Sequence, residues 1–254
     1  MRAFVDTYLL NLVLQSMNSK AELPPKFFSD AKRLGETIPS LQTRTEDVCK
    51  LLVDADHVKT IVSVDAEADG KSRGDRIAYL QSLNPSPKYT LVHRTALECV
   101  LVSELLLAMG DLSVEQVVYH RARTFAYSLI FMLKETLMPM LLLAGLAQTC
   151  QFALAAVILD DAEDYEEDRR AESPTLFTRA TKDEAIKRSL GVLAHLDGMH
   201  TSESVLKFLD TREFLLLACL KVQEFGGSPQ PGIDTKLLLR RLAREHWSDT
   251  WRGI

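Results

Sequence analysis

Ala155-Ala156-Val157-Ile158-Leu159-Asp160-Asp161-Ala162-Glu163-Asp164-Tyr165-Glu166-Glu167-Asp168-Arg169-Arg170 is the stretch in which an apolar run turns abruptly acidic. Upstream, Thr136 to Leu159 is 24 residues without a charge, and from Asp160 to Asp168 seven of nine residues are acids. A solvated acidic face normally opposes an apolar face along the same helix. Here the acids stand at the end of the apolar run, which is how the mouth of a pocket is built. At 1.5 Å per residue the run could cross a hydrocarbon core of about 30 Å. Against that, Gln148, Thr149 and Gln151 lie near its middle, Pro139 interrupts it, and no comparable second segment exists. The expectation is the buried central helix of an all-α domain, not a membrane span.

Outward from this segment the pattern stays helical. Phe4, Val5, Tyr8, Leu9, Leu12, Val13 and Met17 recur at helical steps over residues 1–18. Leu23-Pro24-Pro25 restarts the chain, Pro39-Ser40 stops a short second helix, and a longer segment begins near Thr43. Asn84-Pro85-Ser86-Pro87 is a clear break, since each proline pushes its predecessor away from the helical region. A helix from about Tyr89 to Met109 follows, then a stop at Gly110 and a cap at Ser113, with Glu115 and Gln116 in the next first turn. Helix is expected on to about Ala171, interrupted at Pro139 and near Gly145, and then over 182–197 and 202–225. Residues 226–233 read as a linker to a basic helix, 234–251, with Lys236, Arg240, Arg241 and Arg244. The expected architecture is one all-α domain over residues 1–254.

Composition excludes several classes. Eleven glycines and nine prolines in 254 residues are too few for the frequent turns of a β-sandwich. A net charge of −5 supplies no general field for nucleic acid. Cys49, Cys99, Cys150 and Cys219 form no C-x-x-C pair, and with no secretory leader evident the thiols read as reduced, in a cytoplasmic setting. A di-iron carboxylate bundle needs paired E-x-x-H motifs, and Asp54-Ala55-Asp56-His57 is a single distant analogue. No serine elbow, phosphate-binding glycine loop or dinucleotide fingerprint occurs.

The acidic segment is where chemistry concentrates. On a continuing helix Asp160, Asp164 and Asp168 fall four apart and Asp161 and Asp164 three apart, so their carboxylates converge. A hard dication removes the repulsion. Magnesium, which takes one or two carboxylates together with waters and substrate phosphates, suits the arrangement better than zinc or calcium. The bland alternative is an exposed acidic helix end.

Gln151-Phe152, Ile158-Leu159-Asp160-Asp161-Ala162-Glu163-Asp164, Glu167-Asp168-Arg169-Arg170 and Pro174-Thr175-Leu176 together resemble the second aspartate-rich region of class I isoprenoid synthases, a superfamily of trans-prenyl diphosphate synthases, squalene and phytoene synthases and terpene cyclases. The resemblance covers roughly residues 60–180. It implies an all-α bundle in which two aspartate-rich helices face one another across an apolar cavity and hold Mg2+ against an allylic diphosphate. The first motif would be Asp65-Ala66-Glu67-Ala68-Asp69, followed by Arg73 and Arg76. The preceding run Val58 to Val64 is β-branched enough to admit a strand instead.

On this likeness Asp160, Asp161, Asp164, Asp168, Asp65 and Asp69 would be the metal ligands. Arg73, Arg76 and Lys134 would contact the diphosphate. Tyr89-Thr90-Leu91-Val92-His93-Arg94 is similar to the threonine, histidine and arginine that follow the first motif in prenyl synthases, which adds Arg94, and Phe152 would line the substrate cavity. The implied partners are a prenyl diphosphate and, dimers being common in the family, a second copy of the chain. The rival reading is a non-catalytic helical interaction or assembly subunit.

Overall fold

Four helices start where a hydroxyl residue can satisfy an orphan backbone donor. The side chains of Ser72, Thr90, Ser113 and Thr175 accept hydrogen bonds from the N–H groups of Asp75, His93, Gln116 and Thr178. At Ser113 the bond is returned, Gln116 Oε1 accepting from the Ser113 N–H at 2.8 Å. The computed structural model describes residues 1–35, 52–69, 71–199 and 211–228. Within them the chain is an all-α bundle with no strand.

The helices are α1 (Arg2–Met17), α2 (Pro25–Gly35), α3 (Ala55–Asp69), α4 (Arg73–Ser82), α5 (Leu91–Met109), α6 (Val114–Met132), α7 (Leu146–Glu163), α8 (Tyr165–Ala171), α9 (Leu176–Arg179), α10 (Lys182–Met199) and α11 (Thr211–Phe225). The segment expected from Thr43 and the basic helix at 234–251 lie outside the described residues, as does the first part of the helix expected from 202.

The 24-residue apolar run is not one helix. A 3-10 turn (Glu135–Leu137), a short α turn that takes Pro139 in its first positions (Met138–Met140) and a loosely wound π turn (Leu141–Gly145) precede α7. No helix among the described residues is long and apolar enough to cross a membrane. What remains, α7, is buried on every side: Cys150, Ala153, Leu154, Ala155, Val157 and Ile158 are all at 0% exposure. A helix apolar all round belongs at the centre, and α1, α6, α10 and α11 pack around it.

Val58 to Val64 lies within α3 and is helical, not a strand. Packing against α6 overrides the weak β preference of the run. A ring cluster seats this helix: His57 lies 4.6 Å from Phe131, 5.1 Å from Tyr89 and 4.5 Å from His93, centroid to centroid. His93 Nε2 is 3.0 Å from the Leu133 carbonyl. A carbonyl can only accept, so Nε2 carries the proton and Nδ1 accepts from the Thr90 hydroxyl at 2.9 Å. Beside it the backbone clasps: Asp54 N–H donates to Met132 O at 2.8 Å and Lys134 N–H to Leu52 O at 2.9 Å. Across the molecule, Arg123 at 4% exposure donates to Asp6, to the Cys99 carbonyl and to Ser103 Oγ, tying α1, α5 and α6 together.

Candidate functional site

Charged side chains from six helices lie within one another's fields around Arg121 at the end of α7. The centre is Arg121 of α6, with an 18% exposed side chain, its Nη2 2.9 Å from Asp160 Oδ2 and its Nε 2.5 Å from Asp161 Oδ1. Burial works against the charge on Arg121, yet Asp161 and Asp160 hold its pKa above the usual guanidinium range. The charges of Asp168 and Glu104 act in the same direction.

The two aspartates are not equivalent. Asp161 is at 0% exposure, and its other oxygen accepts from the Leu176 N–H at 3.2 Å, so it fastens the start of α9 under the end of α7. Asp160 has a 34% exposed side chain. Burial nevertheless pushes its carboxyl up to about 7; Arg121 opposes this, and Asp161, Asp164 and Asp168 add to it. Water reaches Asp160, but protein surrounds it.

Asp65 and Asp69 stand one turn apart on α3. Desolvation, with Asp69 and Glu104 adding, pushes Asp65 up to about 6, although the residue is exposed by area. Burial raises Asp69 as well, Arg76 and Arg121 pull it back, and Glu104 and Glu167 push it up. Both acidic segments therefore lie in the field of Arg121, and Asp69 also in that of Glu167 on the second segment. Arg76 stands between, 3.4 Å from Asp69 Oδ1 and 2.8 Å from Glu104 Oε2, while Glu104 Oε1 accepts from Thr124 Oγ1 at 3.0 Å.

Asp160, Asp164 and Asp168 were expected on one continuing helix, and here the structure differs. The helix stops at Glu163, Asp164 (φ −93°, ψ 7°) is a joint, and α8 starts at Tyr165. Backbone bonds cross the joint, Asp164 N–H to Asp160 O at 2.9 Å and Asp168 N–H to Asp164 O at 2.8 Å, so the four-residue phase survives. Buried Lys221 of α11 braces the joint, 3.9 Å from Glu163 and 3.1 Å from Glu224.

Of the expected diphosphate contacts, only Arg76 stands in this cluster. Arg73 is spent elsewhere, its Nε donating to Ala108 O at 2.8 Å and its Nη2 to Met109 O, which closes the C-terminus of α5. Gly110, at φ +79°, leaves room for that guanidinium, since a Cβ there would stand 2.5 Å from Arg73 Nη2. Arg94, in the first turn of α5, is about 15 Å of helix from Glu104. Lys134, just past α6, is about 20 Å from Arg121 by the same measure. Phe152 is a core residue, 7% exposed, with its ring 4.3 Å from that of Phe214.

Sequence reasoning missed Glu104, Arg121, Thr124 and Lys221. The one available signal was Glu104, the lone charge in the run Cys99 to Met109.

Among the described residues no three His, Cys, Asp or Glu side chains stand close enough to cage a metal ion. The donor chemistry is still that of a hard dication: carboxylate oxygens only, two of them desolvated. Magnesium asks for one or two protein carboxylates and completes its octahedron with water and phosphate, so a three-acid cage is not required. The acids present fit that demand. No protein-family model matches the chain, and no curated protein or solved structure matches it either.

Proposed function

We propose that the chain is a magnesium-dependent enzyme that ionises an allylic prenyl diphosphate, in prenyl transfer or terpene cyclisation. One observation carries the reading: Asp160 meets the Arg121 guanidinium at 2.9 Å, and Asp65 and Asp69, from a distant part of the chain, lie within the field of the same guanidinium, with burial pushing Asp65 up to about 6 and Asp160 up to about 7. Carboxylates are crowded in this way where a cation is to be received.

Asp160 with Asp164 or Asp168 from one segment, and Asp65 with Asp69 from the other, would hold Mg2+. The ion, when bound, supplies Lewis-acid neutralisation of diphosphate oxygens. The remaining work belongs to the chain. Arg76, half-buried between Asp69 and Glu104, would offer a fixed positive charge to the departing anion. Asp161 is a positioning residue that orients Arg121 and the start of α9. Three buried reduced thiols, Cys99, Cys150 and Cys219, fit a cytoplasmic setting, and a homodimer is the oligomer this reading favours.

The test is pyrophosphate release from geranyl, farnesyl and geranylgeranyl diphosphate with and without magnesium. Asp160→Asn and Asp65→Asn should each lower kcat by about 100-fold or more while leaving the circular dichroism spectrum unchanged. An absence of turnover with all three substrates, together with no magnesium-dependent binding, would remove the enzyme reading. The rival, a non-catalytic helical subunit, draws on the ion pairs Arg121–Asp160, Arg121–Asp161 and Arg76–Asp69, which already neutralise part of the cluster from within.

A further inference from the structure

Arg121 occupies the place in the charged cluster where a cation is most needed, and it is held asymmetrically. Its Nε stands 2.5 Å from Asp161 in an ion pair that lacks hydrogen-bond geometry, but Asp161 has no exposure and is itself tied to the Leu176 N–H, so water cannot replace the guanidinium there. Its Nη2 reaches, at 2.9 Å, the solvent-accessible Asp160. One contact of the guanidinium is sealed from water and the other is open to it. Without it, Asp160 and Asp161 would be adjacent like charges in low dielectric, which is strongly destabilising when the compensating partner is removed.

We infer that Arg121 is an internal counter-ion: it neutralises the acidic segments so that the chain folds without metal, and it cedes Asp160, but not Asp161, when a divalent cation enters. This rests on the reading of the cluster as an ion site and adds a role for a residue outside the expected ligand set. Arg121 is thus a positioning residue that sets the threshold for metal entry. The intact chain binds divalent ions weakly until a diphosphate arrives to share the charge. The fold does not depend on the ion.

The probe is Mn2+, followed by electron paramagnetic resonance in the absence of diphosphate, together with thermal unfolding in chelator against millimolar Mg2+. Wild-type protein should bind Mn2+ weakly and unfold at nearly the same temperature in both buffers. Arg121→Gln should bind Mn2+ about tenfold more tightly or better, and its unfolding temperature should drop in chelator and rise by roughly 5 °C when Mg2+ is restored. Arg121→Gln combined with Asp160→Asn should lose that response, which locates the ion.

If Arg121→Gln does not fold in either buffer, Arg121→Lys decides. A lysine is a compact point charge that cannot span both aspartates, so Mn2+ affinity should still rise above wild type. Mn2+ binding no tighter in either variant than in wild type overturns the counter-ion role. Should the wild-type chain nonetheless release pyrophosphate with Mg2+, the proposed function stands and only this inference falls; a variant that gains metal affinity in a chain without turnover keeps the inference and removes the enzyme.

Discussion

Asp160 keeps its proton up to about 7 in the folded chain, against 3.8 for an unperturbed aspartate. Asp65 shifts the same way, up to about 6. Between those limits the folded state binds more protons than the unfolded one, so stability falls as pH rises from about 4 to about 7 and levels off above. Asp6 is held below its usual value, the pull of Arg123 and Tyr127 outweighing its burial, and Glu115 is lowered chiefly by its bond from Arg188. Their stabilisation is lost only at more acid pH, below the window of interest. His93 and His120, which burial holds below the usual imidazole value, oppose this trend near pH 6, so in metal-free buffer the rise in unfolding temperature expected of the two carboxyls should be read as pH is lowered from about 8 to about 7. Asp160→Asn should flatten much of that slope; a variant retaining the full slope would show that the carboxyl is not desolvated. Asp160 and Asp65 were visible in the sequence because each sits in a compact acidic pattern. Arg121 was not, because one arginine on an amphipathic helix looks like any surface charge until α3 and α7 are folded against it.

Helix ends were the most legible elements. Gly110-Asp111-Leu112-Ser113 announced a stop and a cap, and the bonds formed are those such residues can form, with Ser113 Oγ accepting from the Gln116 N–H at 3.3 Å. Ser113→Ala should lower stability by about 1 kcal/mol, measured by urea unfolding, because one orphan N–H of α6 loses its acceptor. Interiors were harder. The β-branched run of α3 reads as strand or helix with similar ease, and only the rings of Phe131 and Tyr89 against His57 make the helical choice intelligible. The breaks at 135–145 and at Asp164 were half legible: Pro139 and Gly145 pointed to the first, while nothing local marks the second. A change of helix direction at Asp164 depends on what α9 and α11 offer beneath it, Leu176 N–H to Asp161 and Lys221 to Glu163.

For the whole molecule, the sequence carried the class of the fold further than the use of its centre. An apolar rod ending in acids implied a central helix, and α7 is central. Which residues would meet at its end is a tertiary matter, since Asp65, Arg76, Glu104 and Arg121 come from four other helices. Burial of the rod also sets the chemistry of its thiols. Cys150 on α7 and Cys219 on α11 are at 0% exposure, and burial, the first cause at each, pushes both up to about 12. Thiolate is the reactive form, so a maleimide at neutral pH should leave Cys99, Cys150 and Cys219 unlabelled in the native chain and label them all in denaturant. Mass spectrometry of the peptides reads the outcome, and rapid native labelling of Cys150 would contradict a sealed centre.

The backbone clasp between Leu52–Asp54 and Met132–Lys134 anchors one extremity of α3, whereas Asp65 rides near the other. From Asp54 to Asp65 is about 16 Å of helix axis, so α3 is a lever arm whose fulcrum is far from its load. Turning it by a mere 5 degrees or so at the fulcrum sweeps the distant carboxyl through more than about 1 Å. A substitution at Val53 or His93 is therefore expected to move Asp65 by leverage, without touching it, and to alter the upward shift of its carboxyl.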